Sequence, residues 1–229
     1  MKTPLKPKFQ PAKIANAVVV GGMIAFGKTT IAESLAKHLK GSKVIYELEE
    51  QDQLADLLLA KMYERNDELL YAPLFQLYFT LNRFNKYRKE CNNKTPTIFD
   101  RSIFEDWLFA KQNIHRPSIF TYYNHLWNGI VKELIFKHGI PALYVILEGD
   151  WELFEQRLFQ RNRKVEIDNF AKNKDYFKNL YKIYGEFIKN VCYDFGISHC
   201  IVNANQSVES ITKQVLEVLK SKNLDWEII

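Results

Sequence analysis

The stretch "GMIAFGKTT" (22–30), read with what flanks it, limits this chain more than any other segment. Before it lies "NAVVVGG" (16–22), a short β-branched run ending in glycines, the pattern of a strand buried on both faces. After it a helix is expected from Lys28 to about Lys40, with Ile31, Leu35 and Leu39 at helical spacing and Gly41 as its stop. Gly22, four residues, Gly27, Lys28 and Thr29 satisfy GxxxxGK[ST], and the strand and helix around it supply the context that short pattern needs. Backbone N–H groups in such a loop can curl around a phosphate, and the helix N-terminus adds unpaired donors and a favourable dipole. Gly22, Gly27, Lys28, Thr29 and Thr30 are therefore candidate phosphate-binding residues. Lys28 is placed to reach the β and γ phosphates of ATP or GTP, and the Thr29 hydroxyl to ligate Mg²⁺.

The remaining pattern alternates. "KVIYELE" (43–49) reads as a second strand, and Gln51 to Cys91 as two helices broken near "ERND". "TPTIFDR" (95–101) is the third strand, followed by helical stretches at about 105–113 and 119–137. "PALYVILEG" (141–149) is the fourth strand, "DWELFEQRLFQ" its helix, and "RNRKVE" a polar connection before a long helix ending near Asp194. "HCIVNA" (199–204) is the fifth strand, and a last helix spans Val208 to Leu219. Strands separated by helices five times over imply an α/β fold: a five-stranded parallel sheet with helices on both faces. Residues 16–229 are expected to form one domain behind a flexible basic leader, 1–15, interrupted by Pro4, Pro7 and Pro11.

With 229 residues, 47% of them hydrophobic and 26% charged, the chain can bury a sizeable core, and no apolar run approaches a membrane span. The net charge of +5 is modest and interspersed, which favours a small anionic ligand over nucleic acid or membrane as partner. Cys91, Cys192 and Cys200 form no CxxC pair or disulfide framework, which suits a reducing, cytoplasmic setting.

In an open parallel sheet, ligands bind beyond the C-terminal strand ends, where the phosphate loop lies. The second strand brings Glu47, Glu49 and Glu50 to that edge, and the third brings Asp100 and Arg101. Glu47 or Glu49 could take the proton of an acceptor hydroxyl while Arg101 holds the carboxylate and screens developing charge. Asp100 is the acid best placed for Mg²⁺. In "YAPLFQLYFTLNRFNKY", Gln76 and Arg83 share one helical face between Phe75, Tyr78, Phe79 and Phe84, which suits a planar ligand with hydrogen-bonding edges. Asp106 could complete that rim, and Glu105 is expected to be exposed. Arg161, Arg163 and Glu166 in "RNRKVE" read as a mobile lid that excludes water from the transferring phosphoryl group.

The ordered set "GGMIAFGKTT", "YELEE", "FQLYFTLNRF", "DRSIFED" and "RNRKVE" resembles the deoxynucleoside kinases, specifically the bacterial deoxyadenosine and deoxyguanosine kinase branch. The resemblance covers nearly the whole chain. It implies a P-loop kinase fold with a short arginine-bearing lid, usually a homodimer, that phosphorylates a deoxyribonucleoside on its 5′-hydroxyl with ATP and Mg²⁺. Deoxyadenosine is the favoured acceptor. Glu47 then matches the catalytic base and Arg101 its companion; Gln76, Arg83 and Asp106 match the base-binding positions. Glu166 and Tyr63 match the sugar contacts, and Arg161 and Arg163 the lid arginines. Where the family carries Glu-Pro-Val this chain has Glu47-Leu48-Glu49, so Glu49 stays an alternative base. The alternatives in function are a nucleoside monophosphate kinase, such as a thymidylate kinase, and a nucleotide-dependent binding or switch protein.

Overall fold

A computed structural model of the chain describes residues 13–47, 52–64, 70–222 and 224–229. Five strands, β1 (Ile14–Gly22), β2 (Lys43–Ile45), β3 (Thr97–Asp100), β4 (Ile140–Glu148) and β5 (His199–Asn203), form one parallel sheet in the order β2-β3-β1-β4-β5. β1 is central because its run of Ala17 to Val20 has no solvated face to offer, and all four residues are buried. From β1 the chain goes to one edge for β2, returns for β3, then crosses to the other side for β4 and β5. The crevice at that reversal, beyond the C-terminal end of β1, is where a ligand fits in a doubly wound sheet.

Nine helices are described: α1 (Lys28–His38), α2 (Gln53–Glu64), α3 (Tyr71–Glu90), α4 (Ile103–Asn113), α5 (Pro117–His138), α6 (Trp151–Arg161), α7 (Lys164–Asp168), α8 (Phe170–Phe195) and α9 (Val208–Lys220). α1 and α9 pack together, with α1 against β1, β2 and β3, while α8 packs on β4 and α4. Their starts follow capping chemistry: Ser207 caps α9, Asp150 caps α6, and Pro117 opens α5 where its missing N–H leaves nothing unpaired. Among the described residues no helix is long and apolar enough to cross a membrane.

Several boundaries differ from the sequence reading, each for a local reason. β1 begins at Ile14, so the chain joins the sheet two residues before the expected domain start; the rest of the basic leader, residues 1–12, lies outside the described residues. β2 stops at Ile45 because it is an edge strand pairing only with the short β3, Lys43 to Ile45 lying against Thr97 to Phe99. β3 itself stops at Asp100, where Arg101 takes the left-handed conformation at φ 75°. α4 begins at Ile103 rather than near 105, because Ser102 and Glu105 form a reciprocal capping box. The polar "RNRKVE" connection is mostly helix α7, with Asn162 (φ 52°) making the bend between α6 and α7.

Gly21 sits where any side chain would collide: a Cβ there would lie 2.5 Å from the ring of fully buried Tyr144. Gly21→Ala is therefore expected to lower the unfolding free energy by about 1–3 kcal/mol. Urea unfolding measures this, and an unchanged midpoint would contradict the packing described.

Candidate active site

The phosphate loop leaves β1 and enters α1 through two left-handed residues, Ala25 (φ 63°) and Gly27 (φ 82°), the latter serving as N-cap of α1 with no side-chain cap. The uncapped N–H groups remain available to an anion. Gly22 differs from its expected role: its N–H donates to the Tyr184 hydroxyl at 2.7 Å, and a Cβ would meet that of Leu147 at 2.8 Å. It shapes the loop from behind and is not among the residues lining the cavity in front. Gly27, Lys28, Thr29 and Thr30 do line it.

That cavity, of about 580 Å³, runs along the C-terminal edge of the sheet. On the side of β4 and β5 it is walled by Arg157, Gln206, Val208 and Ile211. On the side of β3 and β2 its walls are Glu47, Tyr63, Phe75, Gln76, Phe79, Arg83, Arg101, Phe109 and Tyr176, with Arg161, Arg163 and Glu166 over the mouth. The strand order puts the phosphate loop between these two halves. All the expected site residues therefore line one space except Gly22 and Asp106. Glu49 lies outside the described residues.

Charge is concentrated at the centre. Glu47 Oε1 accepts from Arg83 Nη2 at 2.5 Å and pairs with Arg101 Nε at 3.1 Å. Burial would raise the Glu47 pKa, but Arg101, Arg83 and Lys28 outweigh it and hold the carboxyl well below the ordinary range. Glu47 is ionised throughout the neutral range. Arg83 also pairs with Asp106, and its guanidinium lies 5.1 Å from the Phe79 ring centre. Asp106 is 1% exposed and stands behind Arg83, outside the lining of the cavity rather than at its rim. Burial pushes Asp106 up to about 7 against the pull of Arg83.

Lys28 reaches back to the Met23 carbonyl at 3.0 Å. Burial, followed by repulsion from Arg101, lowers its pKa to about 8, although Asp100 and Glu47 pull the other way. The Thr29 hydroxyl donates to Asp100 Oδ2 at 2.5 Å, while Asp100 Oδ1 is buried with no hydrogen-bond partner. Burial raises the Asp100 pKa. Such an orphaned acceptor beside a hydroxyl fits a hard cation with oxygen ligands. At the mouth, Glu166 pairs with Arg163 at 3.2 Å and Arg161 at 3.8 Å, and its buried Oε2 has no hydrogen-bond partner. Arg161 and Arg163 remain partly exposed there.

Glu105, expected at the surface, is completely buried. It pairs with Arg101 and accepts from the hydroxyls of Tyr144 and Tyr184, each at 2.6 Å. The sequence reading also missed Arg157, which donates to the carbonyls of Phe26 at 3.0 Å and Ala204 at 2.8 Å and so ties α6 to the phosphate loop. Its spacing of four from Arg161 on one helix was a signal for it. Tyr184 gave none, since an aromatic at helical spacing in a long amphipathic helix ordinarily means core.

Residues 18–222 match the sequence profile of the family described as deoxynucleoside kinase. A Mycoplasma genitalium protein described as uncharacterized protein MG268 is 66% identical over 224 residues, 98% of either chain. The deoxyadenosine/deoxycytidine kinase of Bacillus subtilis is 28% identical over 214 residues, 89% of this chain and 93% of its own. Among solved structures, deoxyadenosine kinase from M. mycoides with dCMP and dCDP bound superposes with TM-score 0.72 at 22% identity, over 90% of this chain and 98% of that one. This last likeness establishes the five-stranded P-loop kinase fold.

The depressed Lys28 carries a consequence for ligand binding. A polyphosphate favours the ammonium form and raises the Lys28 pKa, so above about pH 8 binding must take up a proton. Calorimetric titration of ATP near pH 9, in buffers of different ionisation enthalpy, is expected to show uptake approaching one proton, lost in Lys28→Met. No uptake in the unaltered protein would contradict a lysine poised against the phosphates.

Proposed function

The chain belongs to the deoxynucleoside kinase family, and from that premise we propose that it transfers the γ-phosphoryl group of ATP to the 5′-hydroxyl of a deoxyribonucleoside, deoxyadenosine being the favoured acceptor. The observation that carries the reading is the Glu47 carboxylate, held ionised between Arg83 and Arg101 on the wall of the same cavity as Lys28 and Thr29. An ionised carboxylate beside a phosphate loop orients a hydroxyl for attack and receives its proton as the phosphoryl group moves. Glu49 keeps the alternative base role in this proposal.

The apolar walls formed by Phe75, Phe79 and Phe109 offer surfaces for a planar base, with Gln76 and Arg83 supplying its hydrogen bonds and Asp106 holding Arg83 from behind. Tyr63 and Glu166 are assigned to the sugar. Arg161 and Arg163 close over the phosphates and, with Arg101, answer the charge that develops on the transferring group. Thr29 and Asp100 would hold Mg²⁺, which when bound neutralises charge across the β and γ phosphates. Arg157 and Gln206 flank the space on the donor side.

A homodimer fits the exposed apolar residues of two adjacent helices, Leu74 and Leu81 on α3 and Tyr122 and Leu126 on α5. Light scattering at micromolar protein checks it, with a monomer as the contrary outcome. Three free cysteines, two of them buried, suit a reducing cytoplasm.

The test of acceptor class is a panel of the four deoxynucleosides and their monophosphates with ATP and Mg²⁺. Deoxynucleosides are expected to yield 5′-monophosphates; turnover of monophosphates alone would make the protein a monophosphate kinase. Glu47→Gln is expected to lower kcat by roughly 10²- to 10⁴-fold while ATP binding persists. Retained turnover in that variant, with Glu49→Gln inactive, would move the base role to Glu49. Gln76→Ala should change the ratio of rates among bases more than it changes ATP affinity, and a uniform loss across the panel would remove Gln76 from the base pocket.

A further inference from the structure

Glu105 is the third residue of α4, and its Oε1 accepts from the Ser102 N–H at 3.3 Å in the capping box. Capping does not explain its environment. A capping box works with glutamine as well as glutamate and is ordinarily a surface device. Here the carboxylate is fully buried and also receives the Tyr144 hydroxyl, the Tyr184 hydroxyl and Arg101 Nη1. A negative charge so far from water needs a counter-charge, and Arg101 is the cation it pairs with.

Arg101 in turn is divided between two carboxylates, Nη1 on Glu105 and Nε on Glu47. Its backbone is strained at φ 75°, and its guanidinium lies 4.9 Å from the Phe109 ring centre. On the far side of Glu105, Tyr184 donates to Oε2 and accepts from the N–H of Gly22, the first glycine of the phosphate loop. An unbroken chain of hydrogen bonds and ion pairs thus runs Gly22, Tyr184, Glu105, Arg101, Glu47. Its members come from β1, α8, α4, the end of β3 and the segment after β2.

We propose that Glu105 is a positioning residue for phosphoryl transfer: it orients the Arg101 guanidinium against Glu47 and, through Tyr184, holds that pair in register with the phosphate loop. The inference rests on a deoxynucleoside being the acceptor that Glu47 serves. Glu105 itself does not line the cavity. Without that charge Arg101 Nη1 loses its carboxylate, the guanidinium is held against Glu47 less firmly, and base and phosphate loop lose their common frame. Small misplacements of this sort lower rate more than they weaken binding.

The test uses the full chain with ATP, Mg²⁺ and whichever deoxynucleoside of the panel is turned over fastest. Glu105→Gln keeps the shape and the cap; Tyr184→Phe keeps the Arg101–Glu105 pair but cuts the link to Gly22, which guards against a Glu105 variant that fails to fold. Per folded molecule, with folding checked by circular dichroism and thermal unfolding, Glu105→Gln is expected to lower kcat roughly 10- to 100-fold, and both KM values to stay within about threefold. Tyr184→Phe should lower kcat by a smaller factor, about three- to tenfold, in the same pattern. In an Arg101→Ala background, Glu105→Gln should cause no further loss of kcat, because the residue acts through Arg101, and should raise thermal stability by removing an unpaired buried charge.

Unchanged kcat per folded molecule in either single variant overturns the inference. So does a Glu105→Gln loss of equal size with and without Arg101. If the unaltered protein turns over none of the deoxynucleosides, the acceptor assignment falls and this inference with it, an outcome distinct from an active protein whose Glu105 and Tyr184 variants behave normally.

Discussion

An almost fully buried guanidinium, shared between two carboxylates, organises the centre of this molecule. Arg101 is 4% exposed, and burial alone would lower its pKa; Glu47 and then Glu105 reverse that and keep it cationic. Removing Arg101 would leave the buried Glu105 carboxylate without a counter-charge, a loss that typically costs several kcal/mol. The arrangement therefore determines what surrounds it. β3 ends at Asp100 so that Arg101 can turn inward in a left-handed conformation, α4 starts immediately on the Ser102 cap, and Tyr144 from β4 and Tyr184 from α8 converge on the Glu105 it requires.

The same concentration of charge fits the proposed pairing of a polyphosphate with a divalent cation. Glu47, Asp100, Glu105 and Asp106 face Lys28, Arg83 and Arg101 in a mostly buried cluster, and the imbalance shows in the shifts. Asp106 rises to about 7, and Lys28 falls to about 8 because burial outweighs its acidic neighbours. Asp100 keeps a bare oxygen. In the proposed reaction a triphosphate would supply what Lys28 lacks, and a divalent cation what Asp100 lacks. Further out, Arg161 and Arg163 stand partly exposed at the mouth, where charge costs less.

Much of this was legible in the chain. The phosphate loop, Glu47 after the second strand, Asp100 at the end of the third, the Gln76–Arg83 face and the Arg161–Arg163–Glu166 group all lie where their local patterns place them, because strand ends and helical periodicity follow from nearest neighbours in sequence. What failed depended on distant partners. Glu105 looked like a solvated acid because its tyrosines lie 39 and 79 residues further on. β2 looked longer because its residues suit a strand, yet its pairing with the short β3 stops at Ile45 and Phe99. Gly22 looked like a phosphate ligand until its N–H was found donating to Tyr184. Asp106 looked like a rim residue, yet the turn of α4 places it behind Arg83.

The sequence by itself determined the alternation of strands and helices, the phosphate loop and the edge of the sheet where chemistry is possible, since each depends on residues within a few positions of one another. Tertiary structure alone decided which charges meet. Local pattern cannot tell a buried carboxylate from an exposed one when the donors that neutralise it come from elements far along the chain. The position of Glu47 between Arg83 and Arg101, and of Glu105 behind them, exists only once β1, β3, α3, α4 and α8 have packed and excluded water from the space between.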